Sequence, residues 1–509
     1  MANRRRQEVP TVDTKSLKAI VAEAQERVIT ADESRQLALA IQLLEERLAG
    51  FLSSERAKKL FGDEAVPEQE PSESSSKPAA GHGRNPADIF KGADKVEVPH
   101  PDLQKGCPCP ECLKGKLSSQ NPSTLVRIVG QAPLHGNVYN LERLRCNLCG
   151  ESFTASPPEG VGSEKYDASA VSMVAVLKYG AGMPFNRIEA MQQRLGVPVP
   201  TSTQWDLVAD AAEILKPVYH ELVQQAAQGE VLHHDDTSAR VLDIPRTESD
   251  TRTGVFTTGM ISATPGLPIA LFFTGTQHAG ENLKDLLTYR GRNLSSPIIM
   301  CDALSRNVSK LGKDQFELGN CLVHGRRNFV EAKDAFPEEC RHVLEVLGQV
   351  YANDREARDS NMDAKQRLQF HQKNSEPLMK GLYKWINEKM AGAVEQNSHL
   401  GKALRYLTRH WKPLTLFLRT AGAPLDNNIC ERSLKMVVLH RKNALFYRTL
   451  NGAETGDLFM SLIQTCILQK VNPFDYLTEL LSHSEEVQIA RSDWMPWSYR
   501  ETLVKIRAG

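Results

Sequence analysis

The spacing of apolar positions changes period several times along this chain, and each change marks a boundary. After Thr30 the run TADESRQLALAIQLLEERLAGFL places Leu37, Ile41, Leu44, Leu48 and Phe51 at intervals of four and three, the stripe of an amphipathic helix or of a short coiled-coil seam. Two to three heptads do not separate those readings. From residue 63, DEAVPEQEPSESSSKPAAGHGRNP carries almost no apolar side chain, so burial cannot offset its ordering entropy and it reads as a disordered linker. Helical spacing returns in DASAVSMVAVLKYGAGMPFNRIEAMQQRLGVPVPTSTQWDLVADAAEIL, broken at RLGV and restarted with Thr203 as cap. Short helices joined by a Gly-containing turn are compatible with a helix-turn-helix.

From Gly229 the period shortens to that of strands. EVLHHDDTSARVLDI, GVFTTGMISATPGLPIALFFTG and SPIIMCDALSRN read as β segments, with a helix around Glu281 to Leu287 before the last of them. Three strands, a helix and a further strand predict a mixed α/β sheet. Between Phe329 and Leu400 the pattern is wholly helical, with Leu344, Leu347 and Tyr351 on one face and Leu378, Leu382, Trp385 and Ile386 on another, which predicts a helical insertion in the sheet domain. The chain then reaches PLDNNICERSLKMVV, a long apolar helix near Leu458 to Leu468, and a last helix capped by Asn472 with Pro473 in its first position.

A length of 509 residues with 41% hydrophobic content suits several soluble domains. The basic start MANRRRQEVPTVD leads into no apolar stretch, and no run of eighteen apolar residues occurs, so the expectation is a cytoplasmic chain without membrane attachment. Charge balances at 62 basic against 62 acidic residues, but between Gly401 and Leu450 ten Lys or Arg face only Asp426 and Glu431. That segment is either a phosphate-binding surface or a solvated helical face. Of the ten cysteines, half fall between Cys107 and Cys149. Cys109 and Cys112 form one C-x-x-C pair and Cys146 and Cys149 the other, the thiolate spacing of a zinc ribbon holding structural Zn²⁺, with Cys107 able to replace Cys109.

Three carboxylates stand where chemistry could use them. Asp235 ends the strand pattern EVLHHD and Asp302 follows the apolar run PIIMC, so both project near strand carboxyl ends, where ligands gather in such sheets. Glu431 could join them from a helix packed across the strands. Hard oxygen donors of this kind suit paired Mg²⁺ ions in phosphodiester cleavage. Each also has a structural reading: Asp302 as strand terminator, Asp235 or its neighbour Asp236 as turn cap, and Glu431 as the return arm of a capping box from Asn428. His233, His234 and His324 read as satisfied polar residues rather than ligands or bases.

In order and context, HHDDTSARVL, CDALSRN, CLVHGRRNF and DNNICERSLK followed by HRKNALFYRTLNGAETG resemble transposases of the insertion-sequence-sixty-six family, TnpC type. The resemblance extends from about Val98 to Pro473, departing at Ser238, where the family often has Pro, and at Leu304, where Tyr is commoner. It implies a ribonuclease-H-like catalytic domain and DDE transposition, with Asp235, Asp302 and Glu431 as the acids around Mg²⁺ or Mn²⁺; Asp236 stays open as a rival to Asp235. It implies double-stranded DNA as partner, both element ends and target, a homo-oligomer in the active complex, accessory proteins encoded by the same element, and a nucleoid-associated location. Within it Arg326 and Arg327, or a structural salt bridge in their place, and Arg432, Lys435, Arg441, Lys442 and Arg448 would meet phosphates. The alternatives are a DNA-binding protein with an inactive nuclease-like domain and a ribonuclease-H-like nuclease that joins no strands. The expected order is a helical segment at 1–62, the linker at 63–98, the zinc ribbon at 99–156, a helical DNA-binding domain at 157–226, the catalytic domain at 227–470 with its insertion at about 330–400, and a helical tail at 471–509.

Overall fold

The computed structural model describes residue 98 and residues 101–508 apart from 112–113, 119–130, 146, 148, 150–151, 163, 245–251, 253, 265, 309–311, 313–314 and 393. The seam from Leu37 to Phe51 and all but the last residue of the linker lie outside these. Two compact units, Met1–Ile128 and Val129–Gly509, make up the chain. In the first, the described part is a tight hairpin: Cys109 N–H donates to Gly115 O at 2.8 Å and Leu117 N–H to Cys107 O at 2.9 Å, around a bridge between Pro108 and Lys116.

The second unit opens with an antiparallel pair, β1 (Arg143–Arg145) and β2 (Ser152–Thr154). Three helices follow: α1 (Ala168–Ala175), which runs on into a π-turn over Val176–Gly180, α2 (Phe185–Arg194) and α3 (Thr201–Ala226). The RLGV break is real, because Gly196 takes φ +82°, a conformation that a side chain would resist. The restart is not capped by Thr203. α3 already begins at Thr201 behind Pro200, whose fixed φ sets the extended entry. Val174, Leu215 and Leu222 share one core with Ile261, Phe272 and Ile299, so these helices pack onto the sheet rather than standing apart from it.

That sheet comprises β3 (Val231–Ser238), β5 (Phe256–Thr264), β6 (Leu267–Gly275), β7 (Ile298–Cys301) and β8 (Glu317–Asn320) in the order β6-β5-β3-β7-β8. β6, β5 and β3 are antiparallel; β3, β7 and β8 are parallel. Helix α4 (Ala279–Leu287) joins β6 to β7. A separate parallel pair links β4 (Val241–Asp243) with β9 (Tyr447–Thr449).

Helices α5 (Leu322–Ala332), α6 (Pro337–Asp359), α7 (Ala364–Asn374), α8 (Glu376–Ala391) and α9 (His399–Arg409) follow β8. Leu347, Leu382, Leu404 and Phe417 build a second core there, which reaches the sheet at Val231 and Ile298. Within it His371 bridges Asp354, at 3.1 Å, and Ser375, at 2.9 Å. All three are buried, so this Ser–His–Asp chain is a scaffold without solvent access.

The chain returns to the sheet through α10 (Asn428–Ala444) and α11 (Leu450–Leu468), and ends in α12 (Pro473–Ser482), α13 (Ser484–Ile489) and α14 (Tyr499–Ala508). Helix α11 covers the sheet edge. Asp457, Ser461 and Thr465 recur every four residues on one helix face and accept the N–H groups of Thr274, Phe272 and Ala270 of β6 at 2.5, 2.9 and 3.0 Å. An edge strand otherwise leaves those donors open to another chain.

Candidate catalytic site

The site grows from the register of two parallel strands. Val231, Leu232 and His233 of β3 pair with Ile298, Ile299 and Met300 of β7. Two residues further along the same register, Asp235 comes level with Asp302, which lies just past the end of β7. Its neighbour Asp236 points to the opposite face, as alternation requires. There Asp236 accepts Thr258 Oγ1 at 2.6 Å and the N–H of Ala279 at 3.0 Å, and it meets His278 Nδ1 at 3.3 Å. Asp236 therefore ties β3 to β5 and to the start of α4. Among the described residues the Asp235 carboxylate accepts only the Asp236 N–H, at 2.8 Å. Burial first, and then the negative charges of Asp302, Asp236 and Glu431, push its carboxyl up to about 6, against the lowering pull of that N–H. Asp235 therefore feels the negative charges of both Asp302 and Glu431. Asp302 is oriented by the Asn307 amide and by Leu304 N–H at 3.3 Å.

Glu431 arrives on α10 because the DNN sequence before it is a clamp. Asn427 is fully buried: its Nδ2 donates to His234 O at 3.0 Å, its Oδ1 meets His233 Nδ1 at 3.1 Å, and its backbone N–H donates to Cys321 Sγ at 3.3 Å. Asp426 accepts the Asn428 N–H at 3.1 Å. One turn on, Cys430 Sγ donates to Gly259 O at 3.3 Å. Gly259 stands opposite Asp235 in the ladder, and a Cβ there would lie 2.8 Å from Leu434. Only glycine lets α10 lie this close to β5. The capping box expected from Asn428 is absent. The helix starts at Asn428 behind Asn427, which makes no side-chain cap, and Glu431 occupies the fourth helical position, one beyond the box. Glu431 Oε1 is buried and, among the described residues, has no hydrogen-bond partner.

His324 Nδ1 lies 3.9 Å from that oxygen and likewise lacks a hydrogen bond among the described residues. Cys321 completes the group: its sulfur and the facing atoms of His324 and Glu431 lie within 4.8 Å of one another. Of the three histidines read as satisfied, His233 is, through Asn427. His234 has neither ring nitrogen bonded among the described residues, and burial pushes both His233 and His234 down to about 4.

The expected phosphate contacts fall into two groups. Arg326 and Arg327 are exposed on α5, and the salt bridge offered as their alternative does not occur among the described residues. Arg432, Lys435, Lys442 and Arg448 are also exposed. Arg441 differs: its guanidinium donates to Thr237 Oγ1 at 3.0 Å, to Ser238 Oγ at 2.7 Å and to Ser238 O, which ties α10 to the end of β3. Of the ribbon cysteines, Cys109 lies in the first unit's hairpin and Cys149 in the turn between β1 and β2. Cys112 and Cys146 lie outside the described residues.

Two half-buried carboxylates, Asp235 and Asp302, stand at the ends of adjacent parallel strands of a mixed α/β sheet, and they are hard oxygen donors of the kind that divalent cations take. The chain belongs to the IS66 family of transposases: the model described as "Transposase IS66 family" matches residues 164–455, more than half of its length. It is also similar to two proteins of Sinorhizobium fredii, both described only as uncharacterized. With y4hP it is 24% identical over 379 residues, 70% of this chain and 67% of that one. With y4jD it is 25% identical over 375 residues, 71% and 72% of the two. Family membership implies DNA as the partner and divalent metal in the reaction.

Proposed function

We propose that the chain is the DNA transposase of an insertion sequence, which binds the element's terminal inverted repeats, cleaves strands there and joins the freed 3′ ends to target DNA. The convergence of Asp235, Asp302 and Glu431 carries this reading. The strand order, three antiparallel strands followed by two parallel ones with a helix at the crossover, supports a ribonuclease-H-like catalytic domain. The residues fit divalent cations: Asp235 is a carboxylate whose charge is disfavoured where it stands, and Glu431 has a buried oxygen without a hydrogen bond among the described residues. Mg²⁺ or Mn²⁺ held there would activate the attacking oxygen and stabilise the leaving one.

Asp235 is set on β3, and Asp302 lies just past the end of β7. Glu431 supplies the third side from α10, held in place by Asn427. Arg326, Arg327 and the cations of α10 draw the phosphate backbone toward the acids. No side chain is needed as a covalent nucleophile. Cys109, Cys112, Cys146 and Cys149 would hold one structural Zn²⁺, and the active complex would be an oligomer assisted by proteins of the same element. No helix among the described residues is long and apolar enough to cross a membrane.

The test uses a duplex bearing the element's terminal repeat with Mg²⁺. The parent should nick and join it, whereas Asp235→Asn, Asp302→Asn and Glu431→Gln should bind it and do neither. Cleavage without joining by the parent would favour the nuclease reading. Binding without cleavage, unchanged by all three variants, would favour an inactive DNA-binding protein.

A further inference from the structure

Beside the acids lies a donor set of a different chemical kind. Cys321 stands immediately before the first residue of α5 and His324 three residues later, so both face the same side of the helix. That side meets the first turn of α10, where Glu431 sits. One sulfur, one imidazole nitrogen and one carboxylate oxygen within 4.8 Å do not suit Mg²⁺, which takes oxygen. They suit Zn²⁺ or Co²⁺, which take thiolate and imidazole. A tetrahedral shell with bonds of ~2.0–2.3 Å sets neighbouring donors ~3.3–3.8 Å apart. The 3.9 Å between His324 Nδ1 and Glu431 Oε1 is already near that value.

Two further observations point to a ligand. His324 Nδ1 and Glu431 Oε1 are both buried atoms without hydrogen bonds among the described residues, an arrangement that costs free energy unless something is bound between them. The Cys321 sulfur already accepts the Asn427 N–H at 3.3 Å, a bond that would also support a thiolate. The His324 and Glu431 side chains are about one quarter exposed, which leaves an entry path for an ion.

We infer that Cys321, His324 and Glu431 form a second metal site, selective for thiophilic divalent ions such as Zn²⁺, which shares Glu431 with the acids Asp235 and Asp302. Three protein donors leave a fourth position open to water or a phosphate oxygen. Because one carboxylate serves both sites, a thiophilic ion there withdraws Glu431 from the acids. Binding at this site does not depend on the proposed strand chemistry.

The test is a Co²⁺ titration of the full chain without DNA, read by the thiolate-to-cobalt charge-transfer band and compared with Cys321→Ser and His324→Ala. Any contribution of Cys109, Cys112, Cys146 and Cys149 is common to all three proteins and cancels. The parent should bind roughly one more equivalent than Cys321→Ser with that band, and His324→Ala should bind it at least ~10-fold more weakly. Identical titrations of parent and His324→Ala would overturn the inference even if the buried Cys321→Ser variant failed to fold. Strand cleavage in Mg²⁺ is measured separately, so an intact reaction with no cobalt site removes this inference alone, and a cobalt site without cleavage removes the transposase reading alone.

Discussion

Asp235 and Asp236 are adjacent in sequence and opposite in physics. Alternation along β3 was legible in the sequence, but which face carried the acids was not, because that depends on what packs against each side. Asp236 is spent on Thr258, Ala279 and His278, whereas Asp235 meets like charges. Their substitutions should therefore move stability in opposite directions. Asp236→Ala leaves buried donors unmatched and should cost about 2–3 kcal/mol. Asp235→Asn should stabilise the metal-free protein by about 1–3 kcal/mol at neutral pH. Its folded pKa, about 6, lies above the unfolded 3.8, so the parent holds its full stability below pH 4 and loses it as pH rises through 6. The gap between parent and Asp235→Asn should open over that window in urea denaturation. Glu431→Gln should change stability by less than about 1 kcal/mol yet abolish Mg²⁺-dependent cleavage. Cleavage that survived this exchange of carboxylate for amide would return Glu431 to a purely structural part.

Long elements with strong apolar spacing were readable: the strands that became β3, β5, β6 and β7, the helix before β7, and Asn472, whose side chain accepts the Phe474 N–H at 3.0 Å. Short elements were not. β8 is only ELGN, and β9 has three residues; the partner strand, not their composition, makes them strands. The start of α10 was misplaced by one residue because Asn427 and Asn428 look alike as caps, and burial of Asn427 decides between them. The polar stripe of α11 was equally hidden, since Asp457, Ser461 and Thr465 inside an apolar helix have meaning only once β6 is beside them. Ser461→Ala should strand the Phe272 N–H and cost about 1–3 kcal/mol in urea denaturation, more than an exposed Ser→Ala on the same helix.

Packing across the second unit also sets its response to acid. His440 of α10 lies between the rings of Tyr179, at 6.1 Å, and Tyr447, at 5.0 Å, so it joins the π-turn after α1 to β9. Burial, and then the charge of Lys178, push it down to about 3. The unfolded chain protonates it at 6.5 while the fold does not. Its contribution is therefore complete above pH 6.5 and falls away with acid toward pH 3, by up to about 1.4 kcal/mol per pH unit. His440→Phe keeps the ring and drops the titration, so it should gain on the parent steadily as pH falls below about 6.5. Flat relative stability from about pH 7 to 4 would show that the ring is protonated without cost.

At the scale of the molecule the sequence showed a basic segment around Glu431 but could not sort its cations, because their roles depend on neighbours distant in sequence. Lys435, Lys442 and Arg448 are exposed, whereas Arg441 is bonded to Thr237 and Ser238 at the end of the strand that carries Asp235. If the exposed three meet DNA phosphates, changing them together to Ala should weaken binding to all sequences alike and flatten the slope of log K against log salt by about 0.9 for each phosphate no longer neutralised. Arg441→Ala should behave otherwise. It should lower stability by about 1–2 kcal/mol by removing these hydrogen bonds and impair cleavage by loosening α10 against β3, while leaving the salt slope close to that of the parent. A full-sized drop in slope for Arg441→Ala and none for the exposed three would reverse this assignment, making the exposed cations a solvated surface and placing the phosphate at the mouth of the acidic site.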